Sequence, residues 1–297
     1  MIIRYINMAF LFRTTLLVLL FVNAAVTFAQ GVTVNQEVSK KPPQRIHSSE
    51  LLREKFSMSI GSYFSHGEYN TDAATDIFSV PLRIGYSQNN WKISAQMPYL
   101  HISGPASVIA ISDGAEVVDT RAEGKRQRWG NGDLRLNAQN QLPLFFESKA
   151  RMHIGASVKL PVASDKGDLG SGEFDYSLYS GGYFRSGRWV SNGRIGYQLM
   201  GDSDEVQYNN RWYASLGGYY LVNRAYSAGL STYYKQAATQ SSELIRTVST
   251  YINWRLPKGW RCNFSIGTGF SESSADIFSG IQVTKTFVRK RRISSNN

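Results

Sequence analysis

Between Phe78 and Ser87 the chain reads FSVPLRIGYS: Phe78, Val80, Leu82, Ile84 and Tyr86 alternate with Ser79, Pro81, Arg83, Gly85 and Ser87. After the polar link Gln88-Asn89-Asn90 the same period resumes, with Trp91, Ile93, Ala95, Met97 and Tyr99 against Lys92, Ser94, Gln96 and Pro98. In an extended chain successive side chains point to opposite faces, so a period of two gives each segment one apolar and one polar face. A link this short joins antiparallel neighbours. Each segment is about ten residues long, the length of a tilted strand that crosses a bilayer, whereas soluble strands average about five or six.

The pattern extends in both directions. It predicts about 12 strands, near 56–64, 76–87, 91–100, 129–142, 150–161, 175–184, 189–200, 212–220, 226–236, 247–256, 260–270 and 277–287. Short links (88–90, 144–149, 185–188, 221–225, 257–259) alternate with long polar loops (65–75, 101–128, 163–174, 201–211, 237–246, 271–276). Short turns at one rim and long loops at the other predict an all-β, antiparallel transmembrane barrel with periplasmic turns and extracellular loops. Trp91, Trp189, Trp254 and Trp260 abut short turns, and Trp129 and Trp212 follow long loops, as in two interfacial belts. A soluble periplasmic sandwich also alternates, but it explains neither the strand length nor the belts.

Composition and targeting agree. The 297 residues are 19% charged and 13% aromatic, with 26 Gly and one Cys, which excludes a disulfide framework and a cysteine-clustered metal site. Residues 1–29 read as a cleaved export signal: Arg4 and Arg13 are followed by an apolar run from Thr14 to Phe28, and Thr27-Phe28-Ala29 precedes Gln30. The alternative, an uncleaved anchor, has an apolar core of only about 15 residues against the roughly 20 of a span. Residues 30–55 are expected to form a periplasmic leader, 56–287 the barrel and 288–297 a basic periplasmic tail carrying Arg289-Lys290-Arg291-Arg292. A net charge of +11 permits nucleic-acid binding, but export to the outer membrane removes that partner.

Three blocks carry a family likeness. Trp129-Gly130-Asn131-Gly132-Asp133-Leu134 opens a strand, Val158-Lys159-Leu160-Pro161 closes the next, and Gly167 to Asp175 (GDLGSGEFD) follows in the loop. With Val80 to Tyr86 and Gln96 to Tyr99 upstream, they resemble the outer-membrane family labelled MetA-pathway of phenol degradation, over about residues 56–200. The resemblance implies a transporter-like barrel for small, often aromatic compounds. It departs at Leu160-Pro161-Val162-Ala163-Ser164-Asp165, where that family usually has K-L-P-T-G-D.

With the apolar set facing lipid, Arg83, Lys92, Gln96, Asp133, Arg135, Asn137, Gln139, Lys159, Arg194, Lys235, Arg255 and Arg261 face inward as candidate pore-lining residues. Gln141, His153, Asn192 and Gln198 join them, and Tyr179, Tyr183, Tyr219 and Tyr251 offer stacking surfaces. A ring of cations concentrates anions; in a small barrel, interior charges also pair and plug it. Gly130 and Gly132 suit a loop-to-strand junction, and Asp133 is placed to tie the loop. Asp165, Asp168, Glu173 and Asp175 are oxygen ligands for calcium in principle, but lack the EF-hand spacing and read as a solvated turn.

The expected function is passive passage of small aromatic or anionic solutes across the outer membrane, without catalysis or cofactor. The expected partners are outer-membrane lipids and lipopolysaccharide, the solute, and the barrel-assembly machinery, which meets a last strand with Ile281, Val283 and the aromatic Phe287. Two alternatives stand beside it: a non-conducting structural barrel, and a lipid hydrolase using His101 and Ser103, two residues apart on an outward face. Cys262 shares the apolar face with Phe264 and Ile266 and reads as inert.

Overall fold

A computed structural model describes residues 52–71, 73–111, 115–118, 126–142, 149–164, 169–202, 207–240 and 242–291. The expected signal, most of the leader, Asp165, Asp168 and the last six residues lie outside them. The strands are β1 (Leu52–Gly67), β2 (Thr75–Gln88), β3 (Trp91–Gly104), β4 (Ser107–Ile111), β5 (Ala115–Val118), β6 (Arg126–Asn131), β7 (Leu134–Gln141) and β8 (Ala150–Leu160). There follow β9 (Asp175–Ser186), β10 (Trp189–Leu199), β11 (Arg211–Leu221), β12 (Tyr226–Lys235), β13 (Ile245–Arg255), β14 (Trp260–Gly269) and β15 (Ile277–Arg291).

Each long strand pairs antiparallel with its neighbours, and β1 pairs with β15, which closes the sheet. Closure removes the exposed edges that lipid does not tolerate. Twelve barrel staves result, because β6 and β7 together form one of them: β6 pairs with Tyr99–Gly104 and β7 with Trp91–Gln96 of β3. The single strand expected over 129–142 is thus broken at Gly132-Asp133. The cause lies opposite: Pro98 has no N–H to donate, and its carbonyl accepts from the Gly132 amide at 2.9 Å. Inside the expected loop 101–128, β4 and β5 form a separate hairpin.

Alternation fixes the faces. Along β2, Thr75, Ile77, Ser79, Pro81 and Gly85 are buried, while Phe78, Leu82 and Ile84 are exposed. The outer wall leaves Leu178 69% and Ile195 55% exposed, with Met58, Ile93, Leu230 and Ile252 similarly bare. Such a band is incompatible with water and suits acyl chains. Five of the tryptophans are exposed, Trp91, Trp189 and Trp260 at the short-turn rim and Trp129 and Trp212 at the long-loop rim. Trp189 lies 4.9 Å from Tyr220 and Trp212 4.9 Å from Tyr197 across the ladder, and the half-buried Trp254 stacks on Tyr226 at 5.7 Å.

Several extents differ from expectation, β1 running from Leu52 to Gly67 instead of 56–64. β15 runs beyond Phe287 to Arg291 because β1 starts at Leu52, which gives Arg289, Lys290 and Arg291 backbone partners in Glu54, Arg53 and Leu52. β3 runs beyond residue 100 to Gly104, and its inner face there is apolar: Leu100 and Ile102 are buried with Ile77 against Tyr69, Ala106, Ala163, Leu169 and Ala275. The main apolar core therefore sits at the extracellular end of the interior, where loop residues fold over the wall. Tyr69 donates to Ser65 Oγ at 2.8 Å, and burial pushes its phenol well above the usual range.

Candidate functional site in the lumen

Register carries one row of inward residues around nine staves. Arg255 stands opposite Arg261, Arg261 opposite Thr284, Thr284 opposite Ser59, and Ser59 opposite Arg83. The row continues from Arg83 to Gln96, Arg135, Lys159 and Asp175. Because the staves are staggered, it climbs from the periplasmic end of β13 to the extracellular end of β9. Arg255 and Arg261 face each other directly, an arrangement that costs stability in a sheet. Among the described residues, no carboxylate lies within ion-pairing distance of Arg83, Arg135, Arg255 or Arg261. Arg83 instead donates to Ser94 Oγ at 3.1 Å.

A second group of inward residues gathers around Lys92. Lys92 is within electrostatic reach of Arg83, Arg194 and Arg261, and His153 of Arg194 and Lys92. The Arg194 guanidinium sits 4.8 Å over the Tyr179 ring, whose hydroxyl donates to Asn137 Oδ1 at 2.8 Å. Gln139 stands opposite Lys92 on the same face.

The inward rings lie flat because glycines opposite them leave room. A Cβ on Gly155 would come within 2.3 Å of the Tyr179 ring, on Gly196 within 2.3 Å of Tyr213, and on Gly267 within 2.3 Å of Phe278. Tyr63 covers Gly61 and Gly280 in the same way, and Tyr251 covers Gly229. Each ring thus presents a face to the lumen instead of crossing it. The signal that pairs these glycines with aromatics is the cross-strand register, which a single strand does not reveal.

The extracellular end carries a different chemistry. Lys159, expected to line an open path, is 3% exposed and held between Asp175 at 2.9 Å and Asp133 at 3.3 Å, with Ser171 Oγ as a further partner. Its charge is therefore spent on the protein's own carboxylates. Asp133 Oδ1 also accepts the Ala163 amide at 3.2 Å, and Gly130, at φ +156°, lets Asn131 N–H reach Ser164 Oγ at 2.9 Å. Asp175 accepts from Gln198 at 3.2 Å and from the Gly201 amide at 3.3 Å, so two loops are tied to one buried cluster. Lys235, also expected in the open path, is 5% exposed. Both lysines sit at strand ends that fold-over loops seal from water. Tyr208, in the adjoining loop, has its phenol raised by burial and then by Asp175.

Among the described residues, Arg151, Arg128 and Arg211 are inward cations that the sequence reading did not name. Arg151 shares its face with His153, and parity alone selects it. Arg128 is buried on β6 and donates to the Gly104 and Ala106 carbonyls at 3.0 and 2.6 Å. Arg211 is fully buried at the start of β11, one residue before the expected strand.

On the outer wall His101 and Ser103 follow each other on β3, but no side-chain hydrogen bond joins them among the described residues. His66 Nδ1 bonds Asp76 Oδ1 at 2.7 Å instead, with Ser103 opposite Asp76 on the far side from His66. Among the described residues no group of three His, Cys, Asp or Glu side chains is placed to hold a metal ion. Cys262 is a free thiol opposite Val283 and Trp254.

No family model and no curated protein matches the sequence. Among solved structures, the crystal structure of the COG4313 outer membrane channel from Pseudomonas putida F1 is similar with a TM-score of 0.57 at 13% identity, covering 86% of this chain and 100% of that one. The NanC porin has a TM-score of 0.49 at 9% identity, covering 79% and 99%, and the KdgM porin 0.47 at 14%, covering 78% and 99%. The first of these likenesses establishes the architecture: this chain has the closed antiparallel fold of an outer-membrane barrel channel.

Proposed function

We propose that the protein is an outer-membrane channel that passes small solutes passively and favours anions. One observation carries the reading. Arg255, Arg261, Arg83 and Arg135 follow one another along a single inward row with no carboxylate partner among the described residues. Facing arginines cost stability, so a sheet under selection for stability alone has no reason to hold them. In a narrow, partly desolvated path the same charges attract and pass anions.

The location follows from the reading. Residues 1–29 direct export, the apolar wall meets outer-membrane lipids and lipopolysaccharide, and Ile281, Val283 and Phe287 of the last strand engage the assembly machinery. The likeness to the MetA-pathway family supports a small-molecule cargo of aromatic character. Proteoliposomes test the proposal: barrels reconstituted in osmotically loaded vesicles admit small organic anions faster than cations of equal size. Equal rates, or no entry of either, overturn it.

A further inference from the structure

One side of the lumen, between β1–β3 and β12–β15, encloses a cavity of about 390 Å³ whose two ends differ in chemistry. Toward the extracellular end it is lined by Tyr63, Ile77 and Phe278. Ile77 is 1% exposed within the apolar core, and Phe278 packs against that core. Toward the periplasmic end it is lined by Arg83 and Arg261. Six residues separate Ile77 from Arg83 along β2, a rise of about 20 Å before tilt. Amides of Asn253, Asn263 and Gln282 lie between, one pair above the arginine row, and Gln96 stands opposite Arg83.

We propose that this cavity is a binding site for a planar aromatic carboxylate, held with its ring against Tyr63, which reaches over Gly61 toward the arginine row, and its carboxylate toward Arg83 and Arg261. The proposal rests on the anion-channel reading and deepens it by naming the ligand class. Tyr63, Tyr251 and Phe278 each lie flat over a cross-strand glycine, so the faces available to a ligand are ring faces, which stack on another planar ring. The arginines suit the other end. A guanidinium presents a planar fork that matches a carboxylate, and among the described residues neither Arg83 nor Arg261 has a carboxylate to satisfy it. Lys92, within electrostatic reach of both, adds charge at the same end. A small aliphatic anion leaves the apolar end empty, and a neutral phenol leaves the guanidinium forks unmatched. Only a molecule with both parts meets both the ring face and the guanidinium forks.

Calorimetry on the folded, detergent-purified barrel tests the site with three probes: benzoate, acetate and phenol. Benzoate binds at least about tenfold more tightly than either of the others, a difference worth about 1.4 kcal/mol. Arg83→Gln lowers benzoate affinity severalfold and leaves phenol unchanged, and Arg83→Lys recovers part of the loss. Tyr63→Leu, which keeps an apolar side chain over Gly61 and Gly280, lowers benzoate affinity and leaves acetate unchanged. Benzoate no tighter than acetate overturns the site, and a preserved anion preference in the same preparation then leaves the channel reading standing. Ring- and charge-dependent benzoate binding in a barrel without anion preference supports the site and overturns the channel reading.

Discussion

Lys159 and Asp175 face each other across the β8–β9 ladder with Nζ 2.9 Å from the carboxylate, and both are sealed from solvent, at 3% and 1% exposure. Asp133 approaches the same ammonium at 3.3 Å, so one cation serves two acids. These are the inward carboxylates of the described staves. Their position at the extracellular end of the cation row leaves the arginines below them uncompensated. The row therefore has a neutralised top and a charged lower path.

Breaking this cluster should be costly. Lys159→Met leaves two buried carboxylates without a cation, a loss of about 3–5 kcal/mol. Asp133→Asn keeps a hydrogen-bonding group and leaves the pair with Asp175 intact, so it should cost less. Urea titrations in detergent, followed by heat-modifiable gel migration, read both. Equal midpoints for wild type and Lys159→Met contradict the assigned role.

Adjacent residues on β13 separate the two faces. Ile252 is 51% exposed on the lipid wall, whereas Asn253 lines the cavity. Ile252→Arg should cost about 2–4 kcal/mol if it sits near the bilayer midplane, with less folded protein in the membrane, whereas Asn253→Arg should insert normally. The reverse order of the two variants contradicts the orientation of the barrel.

The flat rings make a packing prediction. Gly155→Ala places a methyl 2.3 Å from the Tyr179 ring and should destabilise by about 1–3 kcal/mol by lifting the ring from the wall. Adding Tyr179→Ala removes the clash, so the double variant should be more stable than the sum of the single effects predicts. Additive losses in urea titrations show that the two residues do not share the packing.

The alternation from Phe78 to Tyr99 is a local property of the backbone, which is why twelve staves and their lipid-facing residues are readable without a structure. The break at Gly132-Asp133 is not local: it depends on Pro98 of the neighbouring stave. The same holds for Lys159, whose parity marks it as inward but whose burial depends on Asp175, Ser171 and a loop that folds over it. Arg255, Arg261, Arg83 and Arg135 are each visible as inward cations, yet their alignment into one row depends on strand register, which the stagger of the closed barrel sets.

The most direct test of the central claim is the reversal potential of the purified barrel in a planar bilayer under a KCl gradient. The lumen described here gives a chloride preference that shrinks as salt rises from about 0.1 M to 1 M and the Debye length falls from about 10 Å to 3 Å. Arg83→Gln combined with Arg135→Gln should reduce that preference further while leaving the folded yield unchanged, because both side chains face the lumen and not lipid. A potassium preference, or the absence of current from correctly folded barrels, contradicts the account.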